Sequence, residues 1–131
     1  EAYFATAEEL EQLGIAHFYG FQSDPRPFYA EADCVVLPSY HEGMSNVLLE
    51  AAATGRPVIT SNIPGCRESV ENGKSGLLVE VKNKEMLYQA MKKILHCSRE
   101  EREKMGKAGR EKMKREFRKE AVVERTVRSL E

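Results

Sequence analysis

The sequence predicts an α/β fold: a parallel sheet with flanking helices, followed by a helical C-terminal tail over residues 83–131. Three observations predict it. The run at 34–38 is apolar without the alternation of a half-solvated strand, as expected for a strand covered on both faces, and further strands read at 57–60 and 77–81. Segments with helix-start chemistry or helical spacing stand between and around them, and strands alternating with helices imply a parallel sheet. Beyond residue 82 the apolar residues recur at helical spacing.

In chain order, TAEELEQL (6–13) reads as the end of a helix stopped by Gly14, and IAHFY (15–19) as a short strand ending at Gly20. Asp24 followed by Pro25 is a helix start: an acceptor side chain, then a residue whose fixed φ suits the first helical position. That helix carries Phe28 and Tyr29 and ends near Ala32. CVVLP (34–38) is a buried strand. The next helix begins at Gly43 or Ser45, carries Glu50 and stops at Gly55. PVIT (57–60) is a second buried strand. SNIPG (61–65) turns into a short helix around CRESV (66–70), ENGKSG (71–76) is turn chemistry, and LLVEV (77–81) is a last strand. Asn83 caps a helix with Leu87, Ala90, Met91, Ile94 and Leu95 on its apolar side. Ser98 and Glu101 form a capping box for a helix in which Met105, Ala108, Met113 and Phe117 make one stripe. A final segment presents Val123, Val127 and Leu130. Right-handed crossovers place 34–38, 57–60 and 77–79 side by side. The strand at 15–19 either closes against 34–38 or leaves it an apolar edge that invites another chain.

At 131 residues the chain is one domain's worth, with a single core. With 31% charged and 41% hydrophobic residues it has the composition of a soluble globular protein, without repeats or low-complexity tracts. No stretch approaches the roughly 20 apolar residues of a membrane span. No basic-then-apolar leader precedes the first element, and residue 1 is not Met, which reads as a piece of a longer chain. Cys34, Cys66 and Cys97 are odd in number and widely spaced, favouring reduced thiols and a cytoplasmic setting, with Cys34 a core residue. No CxxC suggests zinc. Charge is divided unevenly: residues 1–81 hold 4 Lys/Arg against 12 Asp/Glu, and residues 82–131 hold 16 against 9. The basic half is either a set of solvated helix faces or a surface attracted to an anionic partner such as a membrane, at its inner face.

The stretch HEGMSNVLLEAAATGRPVI (41–59) carries the chemistry. It follows a strand, at the carboxyl edge where parallel sheets bind ligands. Gly43 lets backbone approach a ligand, and the first-turn N–H groups of Ser45, Asn46 and Val47 lack intrahelical partners, which suits phosphate. Glu50 lies beyond the first turn, where the helix dipole no longer favours an acid, and among leucines and alanines, where an unpaired carboxylate is costly. Accepting two vicinal hydroxyls of a sugar would satisfy it, while Glu42 reaches the same cleft from the other side. Spacing alone equally fits a surface acid at Glu42 and a structural acid at Glu50.

CVVLPSYHEGMSNVLLEAAATGRPVI resembles the signature of the family 4 glycosyltransferases, retaining enzymes of the GT-B fold, in which two Glu are separated by seven residues. HFYGF and ADCVVLPS upstream and PGCRESVENGKSGLLV downstream continue the resemblance, firmly over about residues 15–81 and loosely over the tail. The resemblance implies that residues 1–131 are a partial, N-terminally truncated C-terminal domain, the Rossmann-like half of the GT-B fold, binding a nucleotide diphosphate sugar such as a UDP- or GDP-linked one as substrate. It implies that Glu42 faces the donor sugar as the catalytic residue and Glu50 binds the ribose hydroxyls. The backbone at Gly43, Met44 and Ser45 would face diphosphate and sugar, and Tyr19 and Gly20 would lie by the base.

The family's N-terminal acceptor-binding domain and two earlier strands have no counterpart in these 131 residues, and between Arg26 and Arg56 there is no Lys or Arg to meet a diphosphate. The isolated chain is therefore expected to be inactive. The whole enzyme would be a hexosyltransferase moving sugar to an acceptor glycan or lipid-linked sugar, in cell-surface polysaccharide or glycolipid synthesis. No cofactor, metal site or nucleic-acid partner is expected, there being no DxD motif. The competing reading is a non-catalytic nucleotide-sugar-binding or interaction module. His41 beside Glu42 reads as a polar loop residue, His17 and His96 as structural or exposed, Ser39 as a turn or cap, and Glu68 as a helix-start acid.

Overall fold

A computed structural model describes residues 34–37, 46–117 and 119–130. The helices expected within 6–13 and 24–32, the strand at 15–19 and the loop from Pro38 to Ser45 lie outside the described residues. Strand β1 is Val35–Leu37, helix α1 Asn46–Ala53, strand β2 Val58–Ser61 and strand β3 Gly76–Val79. Among the described residues they form a parallel sheet in the order β1-β2-β3, with Val35, Val36 and Leu37 opposite Val58, Ile59 and Thr60. Val58 through Ser61 stand in turn opposite Gly76 through Val79. The three expected strands are present and adjacent. The third is shorter than expected, because Glu80 and Val81 leave the sheet for the turn before the next helix.

Period-two alternation divides the strand residues between two cores. Val35 and Val58, with the half-buried Leu78, pack with α1 residues Leu48 and Ala52. Ile59, Leu77 and Val79 pack on the opposite face with Leu87, Ala90, Met91 and Ile94 of helix α2, Lys84–His96. Helices α3 (Arg99–Glu116) and α4 (Ala121–Leu130) cover the α1 side, where Met113, Val123 and Val127 are fully buried. The sheet is thus enclosed by helices on both faces, which explains why its strands carry no charged residue.

Local capping chemistry sets the helix ends. The Asn83 side chain accepts from Met86 N at 2.9 Å, opening α2. Ser98 Oγ accepts from Glu101 N at 3.1 Å while Glu101 Oε1 accepts from Ser98 N at 2.8 Å, the reciprocal box that opens α3. Helix α1 ends where Gly55 takes φ +89°, a left-handed conformation that favours glycine.

Two expectations about helix faces are corrected. Leu95 is 42% exposed; one residue past Ile94 it points about a quarter-turn off the buried stripe. In α3 the buried positions are Gly106, Gly109, Lys112 and Met113, rather than a stripe through Met105 and Ala108. A Cβ on Gly106 would overlap the Gly55 carbonyl oxygen and lie 2.7 Å from the Gly55 carbonyl carbon. Backbone contact, not apolar side chains, therefore decides which side of α3 faces inward. Removing the Ser98 cap should test how far α3 depends on its local start. Ser98→Ala is expected to cost about 1 kcal/mol, read as a lower urea midpoint with unchanged m-value.

Candidate functional site

Parallel pairing puts the carboxyl ends of β1, β2 and β3 on one edge, and α1 returns the chain from that edge to the start of β2. The β2 end runs into Asn62, whose N–H donates to Val79 O at 2.8 Å and so ties the loops after β2 and β3 together. In the next turn Gly65 N donates to Glu68 Oε1 at 2.6 Å, and a single 3-10 turn, Arg67–Ser69, follows. Glu68 thus stabilises a helix start, as its position in the sequence suggests. The capped start of α2 lies after β3, so the edge combines two helix N-termini with three loops.

Glu50 lies in the second turn of α1 and is 6% exposed. Every residue from Leu48 to Ala53 is buried, so this helix is enclosed by the sheet, α3 and α4. A carboxylate in such a helix is unusual, because charged groups are seldom fully buried. Its backbone is held as well: the Glu50 carbonyl accepts from Thr54 Oγ1 at 2.8 Å and from Thr54 N at 3.0 Å. Asn46, the first residue of α1, stands one turn before Glu50 toward the carboxyl edge. The other expected site residues, Glu42, Gly43, Met44, Ser45, Tyr19 and Gly20, lie outside the described residues. Their geometry relative to Glu50 is therefore an expectation from the sequence.

Sequence reasoning passed over Thr60 and Ser61, fully buried hydroxyl residues at the carboxyl end of β2. Their place where the PVIT strand meets the SNIPG turn was the available signal. It also passed over Lys112, 8% exposed, which donates to Glu116 Oε1 at 2.9 Å and Oε2 at 3.0 Å. Arg115 joins Glu116 to Glu71 at 3.2 and 3.3 Å, and Lys74 reaches Glu71 at 3.6 Å. This network ties α3 to the turn before β3 and neutralises part of the basic half internally. Among the described residues no group of three or more His, Cys, Asp or Glu could hold a metal ion, and no helix is long and apolar enough to cross a membrane. None of the three cysteines is in a disulfide; Cys66 is buried, while Cys34, expected in the core, is half-buried against the α2 side of the sheet.

A parallel sheet flanked by helices on both faces, with a helical C-terminal part, defines a Rossmann-like α/β domain. Residues 2–112 match the family described as "Glycosyl transferases group 1", and the chain belongs to that family. It is 32% identical over 118 residues to the lipopolysaccharide core biosynthesis glycosyltransferase LpsE of Rhizobium meliloti (strain 1021), covering 90% of this chain and 34% of that protein. It is 41% identical over 95 residues to a D-inositol 3-phosphate glycosyltransferase of Corynebacterium urealyticum, covering 67% of this chain and 22% of that protein. A sucrose-phosphate synthase from Thermosynechococcus elongatus superposes with a TM-score of 0.72 at 29% identity, over 94% of this chain and 32% of that one. TarM, with a TM-score of 0.68 at 23% identity over 95% of this chain and 26% of that one, shows the likeness of fold alone. The fold is the Rossmann-like half of a GT-B glycosyltransferase. The chain spans between 22% and 34% of the length of the curated relatives LpsE, CapM of Staphylococcus aureus and the C. urealyticum enzyme.

The hydrogen bonds from Lys112 hold the Glu116 carboxyl below its ordinary value of 4.5, against the upward push of burial, with Arg115 assisting. A carboxyl whose folded pKa lies below its unfolded one stabilises the fold above the unfolded value and loses that contribution as pH falls through the folded one. Glu116→Gln should therefore flatten the fall of the melting temperature below pH 4.5. The effect is expected to be shallow, because the Glu116 side chain is 41% exposed and water screens the pair.

Proposed function

We propose that this chain is the donor-binding part of a retaining, family 4 glycosyltransferase that moves a sugar from a nucleotide diphosphate to an acceptor hydroxyl. The observation that carries the reading is the buried Glu50 carboxylate in the second turn of the helix that leaves the carboxyl edge of the sheet. Glu50 accepts the two vicinal hydroxyls of the donor ribose. The N–H groups at the start of α1, from Ser45, Asn46 and Val47, meet the diphosphate. Glu42 faces the donor sugar, the backbone of Gly43, Met44 and Ser45 borders it, and Tyr19 and Gly20 flank the base.

The helix dipole contributes about 0.3–1 kcal/mol per charge, too little by itself to stabilise a departing diphosphate. Cationic side chains from the rest of the protein supply the remainder. The names of LpsE and CapM, in lipopolysaccharide core and capsular polysaccharide biosynthesis, support an acceptor that is a glycan or lipid-linked sugar. Such an acceptor is met at the cytoplasmic face of a membrane, with a UDP- or GDP-linked hexose as donor.

In the full-length protein, Glu50→Ala should weaken binding of UDP or GDP about tenfold to a hundredfold. That range corresponds to a lost charge-assisted hydrogen-bonded pair, about 1.5–3 kcal/mol. Glu50→Gln should be milder, since an amide oxygen still accepts. Glu42→Ala should leave nucleoside diphosphate affinity near wild type and reduce turnover. Calorimetry with UDP and GDP isolates the ribose contact from sugar contacts, and unchanged affinity in Glu50→Ala would sink the ribose role. The 131-residue chain incubated alone with nucleotide sugars and acceptors is expected to form no product above a buffer control. Turnover there would overturn its assignment as a partial site.

A further inference from the structure

We propose that Gly106 is a positioning residue for the Glu50 carboxylate, acting through the backbone where α3 rests on the end of α1. The inference depends on the donor-binding reading of Glu50. Gly106 lies seven residues into α3, against the turn that joins α1 to β2. A Cβ there would overlap the Gly55 carbonyl oxygen, stand 2.7 Å from the Gly55 carbonyl carbon and 3.3 Å from the Arg56 Cα. All three atoms are backbone, so nothing flexible can yield, and either α3 or the Gly55–Arg56 turn must move.

That turn is joined to Glu50 by short, specific links. Gly55 N donates to Ala52 O at 3.1 Å, and Thr54 donates through both its N–H and its hydroxyl to the Glu50 carbonyl. A displacement of Gly55 is therefore passed through Thr54 to the residue that carries the carboxylate. The contact also lies at the end of α1 opposite the ligand edge, so it determines how far the helix projects toward that edge. Gly109, one turn further along α3, touches the same block more loosely. A Cβ there would stand 3.5 Å from Ser75 Cβ and 3.8 Å from the Ala52 carbonyl oxygen, ordinary contact distances. By contrast, α2 packs on the opposite face of the sheet, where its core partners include the half-buried Met105 of α3 but, among the described residues, no residue of α1. Loss of packing there lowers stability without moving Glu50.

The test uses the full-length protein, with dissociation constants for UDP and GDP measured by calorimetry and melting temperatures by circular dichroism. Binding is measured at a temperature where every variant is folded. Gly106→Ala is expected to raise the dissociation constant roughly tenfold, the scale of a sub-ångström to ångström misplacement of a binding group. Ile94→Ala on α2 is expected to lower the melting temperature at least as far, with affinity within about twofold of wild type. Wild-type affinity in Gly106→Ala, or an equal loss in Ile94→Ala, would overturn the inference. Should Gly106→Ala not fold, Gly109→Ala and Gly109→Val replace it. The alanine fits and should leave affinity within about twofold, whereas the branched side chain presses on the Ala52 carbonyl and should weaken binding several-fold; equal affinities in the two overturn the inference. Glu50→Ala runs in parallel. If it binds like wild type, the donor-binding reading itself fails; if only Glu50→Ala weakens binding, the ribose role stands and the positioning role of Gly106 falls.

Discussion

The seating of Gly106 on the Gly55–Arg56 turn is the contact on which the C-terminal half of the fold depends. Glycine in a helix interior costs about 1 kcal/mol relative to alanine, and α3 contains two of them on its inward side. What offsets that cost is proximity. With α3 backbone against the end of α1, Met113 reaches full burial among Ala52, Ala53, Val123 and Val127, and the alanines of α1 fill space that larger side chains would deny. One apolar cluster then runs from the sheet through α1 to α4. A methyl at position 106 would hold these layers apart.

The same arrangement explains the character of α1. A helix covered on one side by a sheet and on the others by helices must be apolar nearly all round. Leu48, Leu49 and Ala51 to Ala53 meet that requirement and Glu50 does not. A carboxylate held there, with its backbone carbonyl bonded twice by Thr54, is poor as a stabilising element. Under the proposed function it is a group kept in a fixed place for a ligand, on the helix that leaves the carboxyl edge of the sheet. The fold supports that edge from its far side, where α3 contacts both the end of α1 and, through Gly109 and the Arg115–Glu71 pair, the turn that leads into β3.

The excess of positive charge in the C-terminal half is partly absorbed by this support. Lys112 is buried against Glu116, and Arg115 spans Glu116 and Glu71 across 44 residues of sequence. Other cations pair along their own helices, Arg99 with Glu103 and Arg128 with Glu124. Among the described residues Glu71 of the acidic half is thus paired with Arg115 of the basic half.

Local patterns were enough to read the parallel sheet, its strand order and nearly every helix boundary among the described residues. Burial on both faces leaves strands at 35–37, 58–61 and 76–79 without a charged residue, and the caps at Asn83 and Ser98 are made by side chains within four residues of their partners. The anomaly of Glu50 was legible for the same reason, since a lone acid in an apolar helix contradicts its neighbours. The inward face of α3 was legible only in part: Met113 and Phe117 were expected inward and pack on the core, whereas Gly106 and Gly109 were not expected there. Helical periodicity marks a buried stripe by its apolar side chains, and here the closest contact is made by a residue with none. The burial of Lys112 was equally hidden, because a lysine on a charged helix reads as solvated and only the packing of α3 in the tertiary structure encloses it. Sequence pattern reports what a side chain does to its own element; how near two backbones approach is decided by the packing of distant ones.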